Sequence, residues 1–263
     1  MKKILNIYKP LGGGLLETIN LFRKNNPQYQ DVKLGYAGRL DPMAEGVLLI
    51  LVGDELKNQE KYWALDKEYE AEILLGFNTD TYDILGIPST SQTPSYKHQV
   101  TNKFKTSNSK LIKILKKFEG EFTFLYPPYS SRTVKGKPLF WWARRDRLDE
   151  IEIPKKTSTI HNIEILDFYE MEKDILEKLI INRINLVKGN FRQKIIKNAW
   201  RKIFKNTKQQ KFSIIKIRVF VSSGTYIRSI ANELGHRLGM GAILLHLKRT
   251  KVGKFNINKS IKL

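Results

Sequence analysis

Apolar residues alternate with polar ones at Tyr69, Ala71, Ile73 and Leu75, and again at Ile215, Ile217, Val219 and Val221. A period of two predicts strands with one face turned into a core. The continuous run Val47 to Val52 reads as a buried strand. Residues 3–8 open the chain as a strand, Ile160, Ile163, Ile165 and Phe168 lie in another, and residues 242–255 supply one or two more. Helical spacing of Leu15, Leu16, Ile19, Leu21 and Phe22 predicts a first helix ending before Pro27. Leu111, Ile112, Ile114, Leu115 and Phe118 suit an amphipathic helix stopped at Gly120, and Thr225 starts a helix running to Leu238, with Gly239 past its end. Residues 87–108, rich in Ser, Thr and Pro, read as a loop. The expected fold is α+β with a large mixed sheet, in one domain over residues 1–263.

One stretch breaks the pattern. Asn182 to Lys211 holds ten Lys or Arg and no Asp or Glu, while Phe191, Ile195, Ile196, Ala199, Trp200, Ile203 and Phe204 recur at helical spacing. This predicts a basic amphipathic helix whose apolar stripe docks and whose outer face meets RNA phosphates. The whole chain carries 47 Lys and Arg against 26 Asp and Glu, a net +21. Such a balance points to a polyanionic partner. There is no apolar run near 18 residues, so no membrane span is expected. With no cysteine, disulfides and thiolate metal sites are excluded, which is consistent with the cytoplasm. The four histidines form no metal-binding pattern, which weighs against a metal-dependent nuclease.

The candidate chemistry lies in Gly38-Arg39-Leu40-Asp41-Pro42-Met43-Ala44-Glu45-Gly46. Two glycines permit unusual backbone angles and Pro42 biases Asp41 away from helix. The result is a stiff loop with an acid at its bend, entering a buried strand. Taken alone, the pattern favours a plain Asp-Pro turn.

This segment resembles the catalytic loop of the TruB family, tRNA pseudouridine synthases that act on uridine 55 in the T loop. The similarity continues in order. Ile4 to Gly12 looks like the family's strand ending in Lys-Pro-x-Gly, and Lys67-Glu68-Tyr69 with Thr79-Asp80-Thr81-Tyr82-Asp83-Ile84-Leu85-Gly86 resembles its next strand and turn. Pro127-Pro128-Tyr129-Ser130-Ser131 and Gly136 to Arg144 resemble its RNA-gripping thumb, placed at residues 122–150. Ser223-Gly224-Thr225-Tyr226-Ile227-Arg228 matches its Gly-Thr-Tyr-Ile-Arg motif, and Gly239 to Ala242 and Leu247 to Thr250 complete the set.

The resemblance implies a pseudouridine synthase fold with an active-site cleft across a mostly antiparallel sheet. It implies Asp41 as nucleophile, Arg228 as its counter-ion and Tyr69 as the face on which a flipped uracil stacks. Tyr226 and Leu247 match pocket-lining positions, and Lys9 and Arg249 match basic residues near the pocket. The reaction needs no metal or cofactor. The partner is the T stem-loop of tRNA, with no obligatory protein partner and a monomer expected. Whether Asp41 attacks C1′ or a glycal forms is open at this level.

Two departures stand out. Tyr36 occupies a position where most members carry histidine, and a tyrosine stacks but does not become cationic near neutral pH. The chain also stops at Leu263, soon after the last match, so no C-terminal PUA domain is expected, and residues 182–211 read as a basic insertion. The alternatives are a synthase for another RNA and a non-catalytic tRNA-folding chaperone. Arg39 resembles the Arg-Leu-Asp signature of a sister synthase class, while the Lys-Pro and Gly-Thr-Tyr-Ile-Arg segments favour TruB.

Overall fold

The computed structural model describes residues 2–90 and 108–263. A nine-stranded sheet forms its centre. The strands are β1 (Ile4–Lys9), β2 (Leu34–Ala37), β3 (Ala44–Val52), β4 (Lys67–Leu75), β7 (Gly120–Leu125), β10 (Lys155–Glu172), β11 (Lys211–Val221), β12 (Ala242–Val252) and β13 (Phe255–Asn256). Two short pairs lie apart, β5 (Phe77–Thr79) with β6 (Pro88–Thr90), and β8 (Thr133–Val134) with β9 (Lys137–Pro138). The helices are α1 (Leu15–Asn25), α2 (Gln59–Trp63), α3 (Asn108–Lys116), α4 (Leu139–Ala143), α5 (Lys173–Leu186), α6 (Gln193–Asn206) and α7 (Ile227–Leu238). The sheet order is β1-β3-β12-β4-β11-β10-β7, with β2 on β3 and β13 on β12. Among the described residues the one parallel strand pair in it is β3 with β12, through Leu247–Ala44 and Arg249–Gly46. The mixed α+β expectation therefore holds, as do the predicted strands.

Period-two alternation sorts side chains onto the two faces. Tyr69, Ala71, Ile73, Ile215, Ile217 and Val219 face α7, packing against Ile227, Ile230 and Leu234. Leu74, Ile214, Ile243 and Leu245 face the other way and are covered by α5 and α6. There Trp200 is fully buried against Phe77 and donates its indole N–H to the Ile84 carbonyl at 3.1 Å.

Five boundaries differ from expectation. The buried strand begins at Ala44 rather than Val47, because pairing with β12 continues the ladder down to the Pro42 turn. Helix α7 begins at Ile227 with extended Tyr226 before it, and the Thr225 hydroxyl donates to the Ser222 carbonyl instead of capping. Residues 122–125, expected at the start of a thumb, belong to the main sheet as part of β7. The basic segment is not one helix but the second half of a helical hairpin. Glu172 pairs directly with Lys211, a pairing that a tight turn would suffice to join, yet residues 173–210 intervene as α5 and α6. Of the expected 87–108 loop, residues 88–90 form β6, and most of the rest lies outside the described residues.

Candidate active site

The Asp41 loop is shaped by its glycines. Gly46 sits at φ +108°, and a Cβ there would fall 2.2 Å from the Arg249 carbonyl oxygen, so only glycine lets β3 and β12 approach. Beneath the loop, Lys9 is fully buried and its Nζ donates to the Ala44 carbonyl at 2.6 Å and the Pro10 carbonyl at 3.1 Å. Arg249, 1% exposed, donates Nε to the Val47 carbonyl at 2.7 Å and Nη1 to the Arg39 carbonyl at 3.0 Å. The two cations thus anchor both ends of the Asp41 loop through its backbone.

Asp41 lies on the floor of an open cleft of about 1090 Å³. Arg228, from the first turn of α7, donates Nε to Asp41 Oδ2 at 2.8 Å. The same nitrogen lies 3.7 Å from Asp83 Oδ2, Nη1 donates to the Thr81 carbonyl at 2.8 Å, and Nη2 to the Tyr129 carbonyl at 3.4 Å. Burial opposes the charge on Arg228, yet Asp41 and Asp83 outweigh it and hold its pKa above the usual value. Among the described residues the hydrogen bond to the Asp41 side chain is at Oδ2, leaving Oδ1 without a partner. An oriented carboxylate, half open to the cleft and clamped by a buried guanidinium, is suited to nucleophilic attack.

The cleft also gathers Tyr69, Tyr36, Tyr226, Leu247 and Arg249 on its walls. Tyr69 is 8% exposed, and its hydroxyl has no partner among the described residues. Tyr226 stacks edge-on with Tyr126 at 5.6 Å and lies under Arg228 at 5.7 Å; burial raises its phenol pKa, with Asp41 adding to the effect. Arg249 Nη2 is buried without a hydrogen-bond partner among the described residues. Lys9 corrects the expectation of a pocket residue. It does not line the cleft, because its ammonium is spent on backbone carbonyls behind the loop.

Two residues were not singled out from the sequence. Asp83, in the Thr-Asp-Thr-Tyr-Asp turn, is 5% exposed and accepts from Thr81 Oγ1 at 2.7 Å and the Leu85 amide at 2.9 Å. Burial raises its pKa to about 6, with Arg228 opposing. Its motif was visible, but its pairing with Arg228 was not. Lys67, two residues before Tyr69, lines the cleft and donates to the Trp63 carbonyl at 2.5 Å and Ser223 Oγ at 3.1 Å.

Burial pulls both Lys67 and Lys9 down to about 8. Both are charged at pH 7 and largely neutral at pH 9. An unfolded chain keeps its lysines protonated to about pH 10.4. Between these values it binds more protons than the folded chain, so stability rises with pH, while at Lys67 on the cleft wall the attraction for phosphate falls. RNA affinity is expected to drop on the order of tenfold from pH 7 to pH 9. Fluorescence anisotropy with the Asp41→Asn protein measures it, and Lys67→Met should flatten the profile.

Residues 24–191 match the TruB family pseudouridylate synthase (N terminal domain) profile. The chain belongs to the TruB family. Over its whole length it is 30% identical to the tRNA pseudouridine synthase B of Clostridium tetani, covering 72% of that protein. It is 31% identical to the one of Clostridioides difficile, covering 69%. Among solved structures it is similar to a chain of a Cbf5-Nop10-Gar1 complex, with a TM-score of 0.58 and 21% identity over 99% of this chain. It spans about half of that chain, 52%. A second, with a TM-score of 0.53 and 20% identity, comes from an H/ACA RNP bound to a substrate RNA containing 2′-deoxyuridine, of which this chain covers 50%. These structural likenesses extend to the shared fold. No described helix of this TruB-family chain is long and apolar enough to cross a membrane.

Proposed function

We propose that this chain isomerises uridine to pseudouridine in tRNA, with uridine 55 of the T loop as its target and Asp41 as the nucleophile. The observation that carries the reading is the 2.8 Å pair of Asp41 with buried Arg228 on the cleft floor. The tRNA substrate is supported by the likeness to the tRNA pseudouridine synthase B of Clostridium tetani and of Clostridioides difficile.

The reaction breaks the N1–C1′ bond, turns the base and joins C5 to C1′, with the C5 proton lost and N1 left carrying a proton. Atoms and electrons balance within one nucleotide. Arg228 pairs with Asp41 and aims it, and Asp41 attacks or shields the electron-poor sugar carbon. Tyr69 offers an aromatic face to the extruded uracil and a free phenol for proton transfer. Tyr226 and Leu247 close the base pocket, and Tyr36 stacks against the displaced partner of the target nucleotide. Arg249 supports the Asp41 loop from behind through the Val47 and Arg39 carbonyls. The enzyme works in the cytoplasm as a monomer without an obligatory protein partner.

The test is to incubate the protein with unmodified tRNA and map pseudouridine at single-nucleotide resolution. One new site in the T loop is expected. Product at another position alone would overturn the target, and no product on any cellular RNA would overturn the activity.

A further inference from the structure

The α5–α6 hairpin does more than cover the back of the sheet. Its tip, residues 187–192, comes round to the cleft, where Phe191 and Arg192 form part of the wall. Arg192 Nη1 pairs with Asp80 Oδ2 at 2.8 Å, and its guanidinium lies over the Tyr129 ring at 4.2 Å. The Asn190 carbonyl accepts from Arg144 Nη2 of the thumb at 3.0 Å. On the other side Lys188 pairs with Glu17. Gly12 there lies so close to the Leu186 backbone that a Cβ would fall 2.4 Å from its carbonyl oxygen. Arg192 holds φ +63°, a left-handed conformation that a non-glycine side chain resists. The tip is therefore fixed at the rim by contacts to the thumb, to the turn holding Asp83, and to the N-terminal loop.

From that anchored point α6 runs 14 residues, about 21 Å. Ile196, Trp200 and Phe204 are buried under it. Its opposite side exposes Lys194, Arg201, Lys202 and Lys205. None of the four makes an ion pair among the described residues. An exposed cationic stripe that starts at the rim of an RNA cleft, with no acid between residues 182 and 211, is complementary to a sugar-phosphate backbone.

We propose that the outer face of α6 is a second docking surface for the substrate RNA, holding phosphates outside the stem-loop seated in the cleft. This rests on the reading of the cleft as an RNA-modifying site. The surface contributes affinity and orientation and touches no reacting atom.

The experiment compares the wild-type protein with a Lys194→Gln, Arg201→Gln, Lys205→Gln triple variant on two RNAs: full-length unmodified tRNA and an isolated T stem-loop hairpin. For full-length tRNA the dissociation constant is expected to rise on the order of tenfold. The slope of log affinity against log salt should fall by about three, one per lost phosphate contact. Affinity for the hairpin and turnover at saturating RNA should stay at wild-type levels. Unchanged affinity and slope for full-length tRNA would overturn the proposal, as would an equal loss on both RNAs. A variant that keeps full tRNA affinity but loses binding to phosphatidylserine–phosphatidylcholine vesicles would reassign the face to a membrane. Wild-type turnover of the hairpin reads the catalytic assignment separately, so the two can fail independently.

Discussion

Asp41→Asn is expected to abolish pseudouridine formation, lowering turnover by on the order of 10⁴-fold or more, while the folded protein still binds RNA. The amide keeps the size of the carboxylate but has neither its charge nor its nucleophilicity. The fold should survive, because Arg228 retains Asp83 and the Thr81 carbonyl when Asp41 no longer balances it. Lys9 and Arg249 hold the loop through its backbone, which the substitution leaves intact. Removing one negative charge from a cationic cleft should leave RNA affinity equal or tighter. Single-turnover formation of pseudouridine, with anisotropy for binding, separates the two effects. Turnover within tenfold of wild type would remove Asp41 from the nucleophile's role.

The second large effect is at Arg228. Arg228→Lys keeps the charge but loses the planar fork that reaches Asp41, the Thr81 carbonyl and the Tyr129 carbonyl together. Turnover is expected to fall by about 10²–10³-fold, the scale on which a misplaced electrostatic contact acts. Arg228→Met goes further, because it leaves Asp83 buried without its cation. Such a loss costs about 3–5 kcal/mol, read as a lower denaturation midpoint. The pH dependence has a definite sign. The Asp83 carboxyl is already raised to about 6, and removing Arg228 drives it higher. Between the unfolded carboxylate value and the folded one, the folded chain binds more protons, so stability falls as pH rises. The Arg228→Met defect should therefore be largest at neutral pH and eased at pH 5. A folded Arg228→Lys protein with near-normal turnover would refute the role.

Much of the fold was legible because it follows from local periodicity. The alternation in β4 and β11 turns Tyr69 and Ile217 to one buried face, as the structure has them, whereas the second core on the other face, with Leu74 and Ile214, was not legible in it. The Asp41 turn was legible for a similar reason, since glycines and a proline restrict the backbone whatever surrounds them. Helix boundaries were less so. Thr225 has the chemistry of a cap, but its hydroxyl found the Ser222 carbonyl, and a local competition of that kind is decided by turn geometry. The basic stretch showed its amphipathic second helix, whereas α5, with a weaker polar-apolar contrast, was not recognised as its partner.

What the sequence by itself determined is the long strands β1, β3, β4, β10, β11 and β12, the helices α1, α3, α6 and α7, the cationic character and the motif positions of Asp41, Tyr69 and Arg228. What only the tertiary structure decided is which charges meet. Arg228 lies 187 residues from Asp41, yet the two make contact. Lys9, equally a motif residue, turned away from the cleft to the loop's carbonyls. Asp83 became a buried partner, and the tip of the hairpin reached the cleft wall. Each of these depends on desolvation and on long-range packing. Both come into being only when the sheet brings distant segments together, so no local spacing encodes them.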